Sequence, residues 1–217
     1  MVDLVHAQGF EVALTGEPAL LMSEDGRVLP AAIARWHAPA QDQDSWLLER
    51  CSGPTIDLGC GPGRLVAELT ARRVPVLGVD CSRRAVQQCH SRGGPVLHRN
   101  LFAPLPGEGR WAHVLLADGN IGIGGDPILL LRWCAALLRA GGTVLAEAAS
   151  DTDAPGSGLW RGTARLHHTE GAPADPRFPW AVIGLDTLTA LAGHAGLRAR
   201  DQHRGQRCFL ELVRAGS

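Results

Sequence analysis

A chain of 217 residues is long enough for one α/β domain with a large buried core and some decoration. Hydrophobic residues at 45%, charged residues at 20% and a formal net charge of -1 exclude a disordered polyelectrolyte and argue against nucleic acid as a partner. All 21 basic residues are Arg and Tyr is absent, a bias that fits a GC-rich coding sequence. It removes lysine Schiff bases and tyrosine phenols from the chemistry and leaves His, Asp, Glu and Cys.

Residues 1–13 scatter Asp3, His6, Gln8 and Glu11 among apolar positions, so no export leader is expected and the chain reads as cytoplasmic. The first fifty residues, with helix-like pieces at 30–36 and 45–50, are expected to form an N-terminal helical cap on a domain spanning 51–217. From Thr55 onward short β-branched runs alternate with helical stretches, the pattern of βαβ units and a parallel sheet. Strands are predicted at 55–58, 75–80, 96–99, 112–117 and 143–148. Helices fall between them at 65–73, from an N-cap at Ser82 through Cys89, and from Asp126-Pro127 to a stop at Gly141-Gly142. The most apolar run, 127–138, is broken by Arg132 and reads as a buried helix rather than a membrane span.

After Ser150 the composition turns to Asp, Gly, Pro and Ser, and an insertion at about 151–182 is expected to lie over a site. A helix at 186–195 closed by Gly196 and two strands at 197–203 and 207–213, turning at Gly205, complete the chain. The predicted fold is therefore α/β: a Rossmann-like, mostly parallel sheet with helices on both faces and a C-terminal antiparallel hairpin. Cys51, Cys60, Cys81, Cys89, Cys134 and Cys208 include no C-x-x-C pair, so no metal site or redox dithiol is signalled and free thiols are expected.

The most informative segment is Thr55-Ile56-Asp57-Leu58-Gly59-Cys60-Gly61-Pro62-Gly63-Arg64, in which an apolar strand runs through an acid into three alternating glycines. Glycines let a ligand lie against the main chain, and the turn is expected to leave amides free at the start of the next helix. Asp57 favours a cationic group, such as an α-amino group, over a pyrophosphate. The dinucleotide fingerprint G-x-G-x-x-G/A needs a small residue where Arg64 stands. About twenty residues past the first glycine, Val76-Leu77-Gly78-Val79-Asp80 ends a strand in an acid, the distance at which a carboxylate accepts ribose hydroxyls.

These residues resemble the class I S-adenosylmethionine (SAM)-dependent methyltransferases, whose first motif is an acid-x-Gly-x-Gly-x-Gly turn and whose second strand ends in a ribose-binding acid. The motif-bearing core covers 54–148, and the family's final hairpin accommodates 197–213, giving seven strands. The resemblance implies that SAM is the cofactor, that Asp57, Gly59, Cys60, Gly61 and Gly63 cradle its methionine part, that Asp80 holds its ribose and that Cys81 flanks its adenine. Where the family has an Asp after the third strand, Asn100 stands as a substitute hydrogen-bonding group beside apolar Leu101 and Phe102. Ala117, Asp118, Gly119 and Asn120 occupy the place where the family meets both cofactor and acceptor. Gly119 to Gly125 is readable as a flexible acceptor loop or as a plain connection.

Methyl transfer from a sulfonium needs a nucleophile in line with the methyl carbon and the exclusion of water, and a base is optional. If the acceptor is a hydroxyl, His167 and His168 are the candidate bases, while Trp160, Arg165 and Trp180 are candidates for binding an acidic or planar acceptor. Phe10, Arg35 and Trp36 are expected to close over the cofactor. The expected function is methylation of a small-molecule acceptor at O, N or S, in specialised metabolism, with no nucleic-acid or membrane partner. A SAM-binding sensor without methyl transfer is the alternative, and a NAD-linked oxidoreductase a more distant one.

Overall fold

The computed structural model describes residues 10–11, 13–31, 33–150, 153–154, 158–168 and 176–214, with His168 described by its backbone alone. Most of the segment on which the expectation of no leader rests, and part of the insertion at about 151–182, lie outside the described residues.

In chain order the elements are β1 (Ala19–Ser23), β2 (Val28–Leu29), α1 (Ile33–Trp36) and α2 (Ser45–Leu48). There follow β3 (Thr55–Leu58), α3 (Arg64–Ala71), β4 (Val76–Asp80), α4 (Arg83–Ser91), β5 (Val96–His98), β6 (Trp111–Leu116), α5 (Pro127–Leu137) and β7 (Leu138–Ala148). The chain then adds β8 (Leu159–His168), β9 (Phe178–Ile183), α6 (Leu185–Leu191), β10 (Leu197–His203) and β11 (Cys208–Arg214).

Seven strands form the main sheet in the order β10-β11-β7-β6-β3-β4-β5. β5, β4, β3, β6 and β7 run parallel, and β11 and β10 close one edge antiparallel. Its central strands read as continuous apolar runs because both faces are covered. On one face Leu65 and Leu69 of α3 and Leu47 and Leu48 of α2 pack against Leu115, Leu145 and Phe209. On the other, Leu130, Leu131 and Cys134 of α5 and Leu188 of α6 pack against Val114, Val144 and Leu210. The helix starts follow local chemistry: Asp126 Oδ1 accepts from the amides of Ile128 at 3.0 Å and Leu129 at 3.1 Å ahead of Pro127, and Ser82 Oγ accepts from Ala85 N at 3.1 Å. One expected boundary is corrected. α5 stops at Leu137, not at Gly141-Gly142, because Leu138 is already extended with ψ 143° and starts β7.

The N-terminal segment is not wholly helical as expected. β1 and β2 form a hairpin, and β1 pairs antiparallel with β8, which pairs with β9, giving a second sheet of order β2-β1-β8-β9. Asp25-Gly26, with Gly26 at φ 83°, turns the hairpin between two apolar runs, a signal that the helix-forming composition of residues 19–23 masks. Leu21, Leu29, Ile33, Leu166, Phe178 and Trp180 form the small sheet's own core. Bridges from Ile123 to Trp180 and from Ala149 to Gly184 tie it to the carboxyl ends of the main sheet. Among the described residues no helix is long and apolar enough to cross a membrane.

Candidate functional site

The three alternating glycines leave β3 for α3 with φ of 73° at Gly59, 54° at Gly61 and 80° at Gly63, and two of them serve different ends. A Cβ on Gly63 would stand 2.2 Å from Cys89 Sγ, so this glycine lets α3 and α4 approach and is absent from the cavity lining. A Cβ on Gly61 would meet nothing within 4 Å, and the open space in front of it is the cavity. The amides of the turn itself are already used. Gly59 N and Cys60 N donate to Val79 O at 2.8 and 3.1 Å, Gly61 N donates to Asp80 Oδ2 at 2.9 Å, and Gly63 N donates to Cys60 O at 3.0 Å. The open donors lie one step on, in the first turn of α3, where among the described residues no side chain caps the helix. A ligand therefore meets a bare main-chain surface whose shape is fixed internally.

The cavity at the carboxyl ends of β3, β4, β5 and β6 measures about 1130 Å³ counted out to its mouth. Asp57, Gly59, Cys60 and Gly61 form its floor, and Asp80 and Cys81 one side. Asp80 Oδ1 also accepts from Ser82 N at 2.8 Å, which aims the carboxylate along the cavity and leaves lone pairs for hydroxyl donors. Burial pushes its carboxyl above the usual range, with the Ser82 and Gly61 amides pulling it back. Burial also pushes the Cys81 thiol up to about 12, so it acts as an uncharged wall. Asn100, Leu101 and Phe102 line the next side, with Asn100 Oδ1 accepting from Phe102 N at 2.9 Å.

Asp57 is 2% exposed, and among the described residues no hydrogen bond reaches its carboxylate. Burial pushes it up to about 7, opposed by Arg64 and helped by Asp118 and Asp80. A buried acid of this kind gains most from a cationic ligand group that would hold it ionised. The cradle in front of Gly61, the carboxylate at Asp80 and the cation-seeking Asp57 together fit the amino acid and ribose of SAM.

Beyond the floor the cavity is lined by Ala117, Asp118 and Asn120 and walled by Phe10, Trp36, Ile123 and Trp180. Asn120 Nδ2 donates to Leu58 O at 3.0 Å and Gly59 O at 2.8 Å, so this expected acceptor contact ties its loop to the strand end. Phe10 packs against Trp36, Phe178 and Trp180 with centroid separations of 4.6 to 5.8 Å. A second cavity, about 840 Å³, adjoins the first at Asp118 and Trp180, and Gly119, Arg35, Glu147 and Arg207 line it.

The remaining candidates lie elsewhere. His167 is exposed opposite Leu20 on the outer face of the small sheet, away from both cavities. The strand alternation that buries Leu166 turns it outward. The side chain of His168 lies outside the described residues. Trp160 packs on the small-sheet core, and Arg165 is half-buried opposite Met22. Neither lines a cavity.

An ionic network next to the floor is invisible to local pattern. Arg64, 5% exposed, places Nη2 2.9 Å from both oxygens of Asp118 and pairs through Nη1 with Asp44. Arg207 grips Glu147 at 2.9 and 2.6 Å and Asp44 at 2.5 Å. Although burial works against ionisation, the Arg64 and Arg207 guanidiniums and the Gln41 amide hold the Asp44 carboxyl at about 2. The one signal in sequence is Glu147, an acid inside the apolar run of β7.

No protein-family model and no curated protein matches the chain in sequence. Solved structures do match in fold. A SAM-dependent methyltransferase from Bacteroides fragilis, in complex with S-adenosyl-L-homocysteine (SAH), is 19% identical with a TM-score of 0.74, covering 99% of this chain and 95% of that one. The CcbJ methyltransferase from Streptomyces caelestis is 18% identical with a TM-score of 0.67, covering 99% and 100%. SAM-bound CalS10, an amino pentose methyltransferase from Micromonospora echinaspora involved in calicheamicin biosynthesis, is 15% identical with a TM-score of 0.60, covering 83% and 94%. With strand order β10-β11-β7-β6-β3-β4-β5 and a glycine turn after the central strand, this chain has the fold of the SAM-dependent methyltransferases.

Proposed function

We propose that this chain is a SAM-dependent methyltransferase acting on a small-molecule acceptor with an oxygen, nitrogen or sulfur nucleophile, in specialised metabolism. The observation that carries the reading is one continuous cavity that joins two unlike walls. At one end are the bare Gly61 main chain, Asp57 and Asp80; at the other are Phe10, Trp36, Ile123 and Trp180. The acceptor named for CalS10 is a sugar, which supports the small-molecule part of the reading.

When bound, SAM supplies an electrophilic methyl group. In this reading Asp57 holds its ammonium, Asp80 accepts from its ribose hydroxyls, and Asn100 with Leu101 and Phe102 encloses its base. Phe10, Trp36 and Trp180 exclude water and hold the acceptor against the methyl carbon, which is where the rate enhancement arises. Asp118 is committed to Arg64 and shapes the loop without acting as a base. His167 faces outward and is not placed to take a proton from the acceptor, while the side chain of His168 lies outside the described residues.

The test is calorimetry with SAM and SAH, followed by measurement of SAH formation against a panel of amines, phenols and thiols. Binding of both ligands with acceptor-dependent SAH release is expected. Binding without turnover on any acceptor favours a sensor, and no binding removes the reading.

A further inference from the structure

We propose that Asp44 and Arg35 are positioning residues that fix the Asp118 loop at the seam of the two cavities through a closed set of ion pairs. The proposal rests on the reading of that seam as the meeting place of methyl donor and acceptor. Asp44, Arg64, Asp118 and Arg207 form a ring in which each charge touches two of opposite sign. A second ring, Asp118, Arg207, Glu147 and Arg35, shares the Asp118–Arg207 edge. Three arginines face three carboxylates, so the cluster is neutral as a whole, which is the condition under which buried charges are tolerated.

The rings act on the backbone as well as on side chains. Asp118 has φ 54°, in the left-handed region, and its amide donates to Glu147 Oε2 at 2.6 Å. A residue with a β-carbon holds such a conformation only when its surroundings fix it. Here the fixing groups come from distant parts of the chain: Arg64 from the start of α3, Glu147 from the end of β7, Arg207 from ahead of β11.

Asp44 lines neither cavity, yet it joins the two arginines that grip Asp118. Arg35 is the solvent-facing corner, with its side chain 32% exposed against 2 to 12% for the others. It arrives on α1, whose Ile33 and Trp36 pack on the small sheet. Without it the remaining five groups hold three carboxylates and two arginines, an uncompensated negative charge at the cavity edge. Docking of the covering layer and setting of the Asp118 loop are therefore one event.

The experiment compares full-length Arg35→Gln, Arg35→Lys and Asp44→Asn with the parent by amide hydrogen exchange, without ligand, and by calorimetry with SAH. Arg35→Gln is expected to speed exchange at residues 118–122 about tenfold while the β10–β11 hairpin keeps its protection, and to weaken SAH about fivefold. Arg35→Lys, which keeps the charge, should restore most of the protection; a merely space-filling role would not distinguish the two variants. Asp44→Asn should act in the same direction and more strongly, and if it fails to fold the Arg35 pair decides. Parent-like exchange at 118–122 in Arg35→Gln, or equal exchange in the Gln and Lys variants, overturns the proposal. If the parent gives no heat with SAH while exchange responds as expected, the methyltransferase reading fails and the positioning role stands.

Discussion

The two sheets close the same cavity by opposite means. The main sheet contributes strand ends: Asp57, Gly59 to Gly61, Asp80 to Ser82 and Asn100 to Phe102, presenting main chain and carboxylates. The covering layer contributes Phe10, Trp36 and Trp180, brought together from far-separated segments and presenting aromatic rings. In the proposed reading the first wall recognises one polar ligand and the second excludes water around a variable one. A fold can thus keep its cofactor chemistry while its acceptor wall changes.

The division is sharpest when broken residue by residue. Gly63→Ala should do the greatest damage although it touches no ligand, since both a strained φ and a clash with Cys89 follow. A loss of about 3 to 4 kcal/mol, or roughly 10 °C in thermal midpoint, is expected by calorimetric melting. Gly61→Ala should cost only about 1 kcal/mol of stability for its φ while impairing SAH binding, which separates the packing glycine from the cradle glycine.

Next in size, Asp80→Ala removes the carboxylate assigned to the ribose together with the partner of Gly61 N, and SAH affinity is expected to fall about 100-fold by titration calorimetry.

Asp57→Asn gives a smaller effect with a sign of its own. Between its ordinary 3.8 and about 7 the folded chain binds a proton that the unfolded chain does not, so Asp57 makes stability fall as pH rises through that window. The Asn variant should therefore match the parent near pH 4 and exceed it by a few kcal/mol above pH 7, as read by urea unfolding. SAH affinity should rise with pH through about 7 in the parent and stay flat and weaker in the variant. A variant less stable at pH 8 would show that the burial is compensated by a partner. His167→Ala, on the outer face, should leave both stability and SAH affinity within experimental error.

How much of this was legible in sequence follows the same division. Strands 55–58 and 197–203, the caps at Ser82 and Asp126 and the acids at Asp57 and Asp80 are local patterns, and they stand where the periodicity put them. The turn's own amides are committed to Val79 O and the Asp80 carboxylate of the neighbouring strand, which no local pattern shows, while the open donors fall at the start of α3 as the motif leads one to expect. The hairpin of β1 and β2 escapes local pattern because the helix-forming composition of residues 19–23 masks its turn and its other partner, β8, is far away in sequence. The ionic rings were missed for the same reason, since no spacing rule relates Asp44, Arg64 and Arg207. His167 and Arg165 looked functional by composition alone, and the two-residue alternation of β8 decides which side of the sheet each faces.

The pairing of β1 with β8 also sets an order of assembly. A ribosome delivers β1 before β3, but its partner strand arrives only after β7 has been made, so Leu21 must wait for Leu166 to cover it. Throughout that interval the nascent polypeptide holds its cofactor residues without a roof. Completion of the cavity thus falls late in the chain, after the whole of the glycine-turn core has been made.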